Sequence, residues 1–136
     1  MNFEFNNIEE FNLDKAKITV WLRLVAAKYG RKIGNLSYIF CDDNKILEIN
    51  RQFLQHDYFT DIITFDYSVG TTLNGDIFIS IDTVKSNAEK YGKLFENELN
   101  RVIVHGILHL CGQNDKTETE AAQMRKMEDE ALERLM

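Results

Sequence analysis

The spacing of apolar residues changes period several times along the chain, and each change marks an element. Over residues 1–9, Phe3, Phe5 and Ile8 alternate loosely, as an edge strand would. Behind Asn12, a good N-cap, Leu13, Ala16, Val20, Leu24 and Ala27 recur at helical spacing, with Trp21 and Val25 widening the stripe and Gly30 ending it. Period two returns from Ile33 to Cys41, with Leu36, Tyr38 and Phe40 on one face and Ser37, Ile39 and Cys41 on the other. Asp42 or Asp43 then caps a second helix carrying Ile46, Ile49 and Phe53, and 55–60 reads as a loop. Strands are predicted at 61–67 and 76–81, joined by 68–74. A short helix capped by Asp82 ends at Gly92, and a longer one spans 95–111 with Gly112 just past its end. Thr117-Glu118-Thr119-Glu120 forms a capping box for a last helix lined by Ala121, Met124, Met127, Ala131 and Leu135.

Strands gathered ahead of helices, with a helix between two of them, predict an α+β fold. It is a single small mixed sheet of about four strands covered by helices. The 136 residues suit one domain, 1–136, large enough to bury a core without staples. A hydrophobic share of 44% and a charged share of 28% exclude disorder, and the absence of proline excludes a Pro-rich linker. Cys41 and Cys111 lie in apolar runs and read as buried thiols. No signal peptide or membrane-length apolar run is visible, so the cytoplasm is the expected compartment. The net charge of −6 argues against indiscriminate nucleic-acid binding, which feeds on basic excess.

The candidate chemistry sits on the helix at 95–111. From Val102 it is apolar nearly all round, so it is expected to be buried, yet it carries His105 and His109 one turn apart on one face. Gly112 lets the chain double back, and Asp115 follows three residues later. H-x-x-x-H-x-x-G-x-x-D thus offers two imidazoles from a rigid helix and a carboxylate from the return, leaving one open position on a tetrahedral zinc. Alternatively, the histidines are hydrogen-bonded core residues and Asp115 caps the final helix. Zinc peptidases with this spacing place a glutamate general base directly after the first histidine. Here Gly106 stands there.

With these residues the sequence resembles the YbeY family of metal-dependent endoribonucleases. The family motif H-G-x-L-H-L-x-G-Y-D-H is matched at His105, Gly106, Leu108, His109, Leu110 and Gly112. A segment near L-N-x-x-Y-R-x-x-D-x-P-T-D-V-L-S-F is similar to residues 49–65, and G-D-I to Gly75-Asp76-Ile77. The resemblance implies a single-strand-specific endoribonuclease acting in ribosomal RNA maturation and ribosome quality control. It also implies one zinc ion held by His105, His109 and Asp115, with partners on the small ribosomal subunit or among ribosomal proteins and no membrane. Two alternatives are a non-catalytic ribosome-assembly factor with a structural zinc and another zinc hydrolase such as a peptidase.

Two departures from the family pattern stand out. Asp115 occupies the place of a third histidine ligand, and Leu54 that of an arginine. Arg51, a turn earlier, is the candidate catalytic contact to the scissile phosphate, where its fork suits the geometry; the alternative is a solvated helix arginine. His56 is either a proton shuttle or an exposed loop residue. Asp57 and Asp61 either act in catalysis or cap the turn into the strand. Arg101 either meets phosphate or pairs with Glu98. A basic patch of Arg51, Lys85, Arg101 and Lys116 is expected to meet RNA.

Overall fold

The computed structural model describes residues 1–54 and 60–135, with Leu54 described by its backbone. Its strands are β1 (Asn2–Phe5), β2 (Lys32–Cys41), β3 (Ile62–Asp66) and β4 (Thr72–Ser80). They form one sheet in the order β1-β2-β4-β3, with β1 and β4 parallel to β2 and β3 antiparallel to β4. The helices are α1 (Lys15–Lys28), α2 (Asp43–Ile49), α3 (Ile81–Lys90), α4 (Phe95–Leu110) and α5 (Glu118–Leu135), and a π-helical turn at Asn50–Leu54 extends α2. This is the small mixed sheet that the hydrophobic pattern predicts.

Three local readings change. First, α1 is capped by Asp14, whose side chain accepts from the Lys17 amide, rather than by Asn12. It buries Ile18, Trp21, Leu22, Val25 and Ala26, so Ala16, Val20, Leu24 and Ala27 face outward. The helix carries two apolar stripes, and the one holding the indole is buried because it removes more surface from water. The Trp21 indole N–H also finds a partner there, the Ala131 carbonyl at 2.8 Å. Second, β4 begins at Thr72, because pairing with β2 on one side and β3 on the other keeps the glycine-containing segment 72–75 extended. Third, Ser80 rather than Asp82 caps α3.

The two sheet faces bury different clusters. Leu36, Tyr38, Phe40, Leu73, Ile77 and Ile79 meet α1, α4 and α5, while Cys41, Ile46, Ile49 and Ile63 form a smaller core with Phe65 and Phe78. Both cysteines are free; burial pushes the Cys41 thiol up to about 12. Against the larger face, α4 is pinned by the buried Tyr38 hydroxyl, which donates to the Ile103 carbonyl at 2.6 Å.

Two glycines permit close approach. A Cβ on Gly106 would stand 2.9 Å from Ile77 Cδ1, whereas one on Gly75 would run into the backbone carbonyl of Phe65. The first obstacle is the end of a flexible side chain, and alanine also gains about 1 kcal/mol of helix propensity there. The second is backbone. Gly75→Ala is therefore expected to lower stability by about 1–3 kcal/mol. Gly106→Ala should stay within about 1 kcal/mol of wild type. Urea unfolding of the two variants measures this order, and equal losses would refute it.

Candidate active site

Along the last turns of α4 the side chains are buried at Val102, Ile103, Val104, Ile107, Leu108 and Leu110, and the histidines interrupt them. His105 is half-buried and His109, a turn later, is exposed. Beyond Cys111 the helix closes in a Schellman motif: the Gly112 amide donates to the His109 carbonyl at 3.0 Å and the Gln113 amide to the Leu108 carbonyl at 3.1 Å. Gly112 takes the left-handed conformation this requires, at φ +101°. The chain then doubles back and sets Asp115 Oδ2 at 3.4 Å from His105 Nε2. The capping box forms as the sequence predicts, the Thr117 and Glu120 side chains each accepting from the other's amide at 3.1 Å.

The other nitrogen of His105 decides what this approach means. Nδ1 lies 2.8 Å from Glu128 Oε2. A carboxylate only accepts, so Nδ1 carries the proton, and in the neutral ring Nε2 presents a lone pair to Asp115. Two lone pairs facing one another call for a cation between them, either a proton or a metal ion. In the absence of metal the surroundings shift the ring toward its charged form. Burial resists the charge, but the hydrogen bond to Glu128 and the fields of Glu128, Asp115 and Asp61 outweigh it, raising the pKa of His105 above 6.5. Asp61, just ahead of β3, is itself raised, chiefly by burial, with His105 opposing the shift.

The structure thus brings His105 and Asp115 together, with His109 exposed on the same helix. Among the described residues, no group of three or more His, Cys, Asp or Glu side chains is already drawn close enough to hold a metal. The donor chemistry nonetheless fits one: His105 offers a neutral nitrogen held in the right tautomer, Asp115 an anionic oxygen, and His109 an accessible imidazole.

Arg51 is exposed on the π turn, whose Phe53 packs edge-to-face on Phe65 across the smaller core. Arg101 does not pair with Glu98; it donates to Glu128 at 2.9 Å and to Asp129 at 2.6 Å. Lys85 lies over the Phe95 ring. A cleft of about 230 Å³ beside His105 is lined by Lys93, Arg101 and Arg125 together with Asp61, Glu98 and Glu128. Gly106 faces the sheet, so the position where a peptidase would carry its general base points away from His105. His56 and Asp57 lie outside the described residues.

Glu128 is the site residue that the periodicity does not single out. It falls four residues after Met124 and three before Ala131, where an apolar residue is due, and that misplaced charge was the available signal.

Because the folded pKa of His105 is raised, folding takes up a proton at this ring. Its contribution to the stability of the metal-free protein is complete below the unfolded value near 6.5 and is lost as pH rises through the folded value. Chelator-treated His105→Gln protein is expected to lose that decline, read as the pH dependence of urea midpoints above pH 6.5.

The family model described as Endoribonuclease YbeY matches residues 3–136. Proteins named Endoribonuclease YbeY are 52% identical over 132 residues in Bacteroides thetaiotaomicron, covering 97% of this chain and 96% of the relative. In Parabacteroides distasonis the identity is 55% over 120 residues, covering 88% and 84%. A Thermotoga maritima protein with a solution structure shares the fold, with a TM-score of 0.67 at 24% identity over 99% of this chain and 89% of that one. The chain belongs to the YbeY endoribonuclease family.

Proposed function

We propose that this protein is a zinc-dependent endoribonuclease that cuts single-stranded regions of ribosomal RNA during maturation and quality control. Family membership supports the nuclease activity. The approach of His105 Nε2 to Asp115, with Nδ1 already committed to Glu128, supports the assignment of these two as metal ligands, and His109, one turn later on the same helix, is assigned as the third. When bound there, a divalent cation would supply a Lewis acid beside the phosphodiester and lower the pKa of water.

The chain's own residues do the rest. Glu128 keeps the proton on the far side of the His105 ring. Asp61, whose pKa burial raises above that of an exposed carboxyl, is assigned beside that ring as a proton carrier. Arg51 is assigned to the scissile phosphate, where a guanidinium fork offsets charge growing on the oxygens.

Substrate binding has to overcome a net charge of −6, so it depends on local cations. Lys93 and Arg125 line the cleft beside His105 and are suited to flanking phosphates. Contacts of this kind release counterions, so RNA binding is expected to weaken steeply as salt rises. Other surfaces are left for the small ribosomal subunit or a ribosomal protein. No described helix is long and apolar enough to cross a membrane; the proposed site of action is the cytoplasm.

The test is cleavage of matched single-stranded and duplex RNAs by nuclease-free preparations, with zinc content measured in parallel. His109→Ala is expected to lose zinc and to cut roughly 100-fold more slowly or worse. Arg51→Ala should keep its zinc and lose about 100-fold in rate. Undiminished cleavage by His109→Ala would overturn the metal-dependent reading, and undiminished cleavage by Arg51→Ala would remove that residue from the chemistry. A peptide library assayed alongside should stay intact.

A further inference from the structure

Glu128 is 5% exposed, in the middle of α5 on the face that meets α4. A buried carboxylate is strongly destabilising unless its oxygens are paired, and here each has a separate donor. Oε1 accepts from Arg101 Nη1 at 2.9 Å and Oε2 from His105 Nδ1 at 2.8 Å. The other end of the guanidinium is taken by Asp129 Oδ1 at 2.6 Å. Arg101 and His105 are four apart on α4, so a single carboxylate spans one helical turn of its neighbour. Rotating the carboxylate to improve one bond would break the other.

The helix that carries Glu128 is itself fixed. Trp21 Nε1 donates to the Ala131 carbonyl, one turn further along α5, and Lys28 pairs with Glu130 at 2.9 Å. These contacts leave α5 little freedom to turn about its axis. The orientation of the carboxylate is therefore set by the fold before any ligand arrives.

We propose that the Arg101–Glu128 pair is a positioning device for His105, fixing the ring's plane and its Nδ1–H tautomer so that Nε2 is presented bare toward Asp115. This rests on the reading of His105 as a metal ligand. Glu128 and Arg101 are positioning residues: Glu128 meets the ring at Nδ1, and Arg101 acts on the ring through Glu128. A carboxylate behind a ligating imidazole raises its basicity and holds its orientation, and losing such a partner typically costs 10–100-fold in metal affinity.

Glu128→Gln separates this role from simple packing, because it preserves volume while changing what each atom can do. The charged guanidinium claims the amide oxygen, so the amide NH₂ faces His105 and turns Nδ1 into an acceptor. The proton then moves to Nε2, the nitrogen the metal needs. Two measurements read this out. Long-range ¹H–¹⁵N spectra of metal-free protein, recorded above the ring's titration, report the tautomer; competition with a chromophoric chelator reports zinc affinity.

Wild type is expected as the Nδ1–H form, and Glu128→Gln as the Nε2–H form with zinc affinity reduced about 10–100-fold. A residue that only holds α5 in place would lower the melting temperature while leaving both readouts of the folded protein unchanged. Should Glu128→Gln fail to fold, Glu128→Asp withdraws the carboxylate by one methylene and is expected to weaken zinc binding in the same direction. Zinc held equally by wild type and the folded variant, with Nδ1–H in both, overturns the positioning role alone. Wild type that binds no zinc, or His105→Ala that binds it like wild type, overturns the ligand reading beneath it.

Discussion

A carboxylate enclosed between two helices has to be answered by hydrogen-bond donors at fixed places, and the arrangement around Glu128 follows from that demand. Its two donors come from successive turns of α4, so α4 and α5 keep their relative height and rotation. The rest of the molecule holds those two helices to the same arrangement. Tyr38 ties α4 to the sheet through the Ile103 carbonyl, and Trp21 ties α5 to α1 through the Ala131 carbonyl. Each is a polar tip on a large apolar body, which fills core space and still ends on a hydrogen bond. The packing of the core and the aim of one imidazole are therefore a single problem with a single solution.

Family membership and the local chemistry divide the explanation between them. The family model accounts for the activity class, and the close contact of Gly106 with Ile77 and Ile62 explains why this helix cannot carry the peptidase arrangement. On a helix, the residue after His105 points about a quarter-turn away from it. In this chain that direction is the interior of the sheet, where a charged side chain would find no solvent and no space. Asp115, the proposed third ligand, has the opposite character, since it lies on the exposed return and can be exchanged without disturbing the core.

Much of this was legible beforehand, and the failures have physical causes. The buried run of α4, its histidine pair, the turn at Gly112 and the Thr117–Glu120 capping box all follow from local patterns, and local geometry realises them. The inward face of α1 was misread because Val20 and Leu24 keep helical spacing as well as Ile18 and Val25 do. Periodicity alone does not choose between two apolar stripes on one helix; the partner across the core does. The start of β4 was missed because glycine and asparagine at 74–75 carry turn chemistry that sheet pairing overrides. Glu128 escaped notice for a related reason: its donors lie 23 and 27 residues away in sequence, beyond the reach of any spacing rule.

Gly75 governs more than local fit. The carbonyl of Phe65 occupies the space beside it that a methyl group would need, so sliding the two antiparallel strands by one residue would drive Asn74 or Asp76 against that oxygen. Such a slide would also turn Ile63 and Phe65 out of the smaller core and displace the start of β3 by about 3.4 Å. Asp61 immediately precedes that start. One missing methyl group thus acts as a registration key, setting where an acidic side chain stands beside an imidazole that belongs to a different layer of the protein.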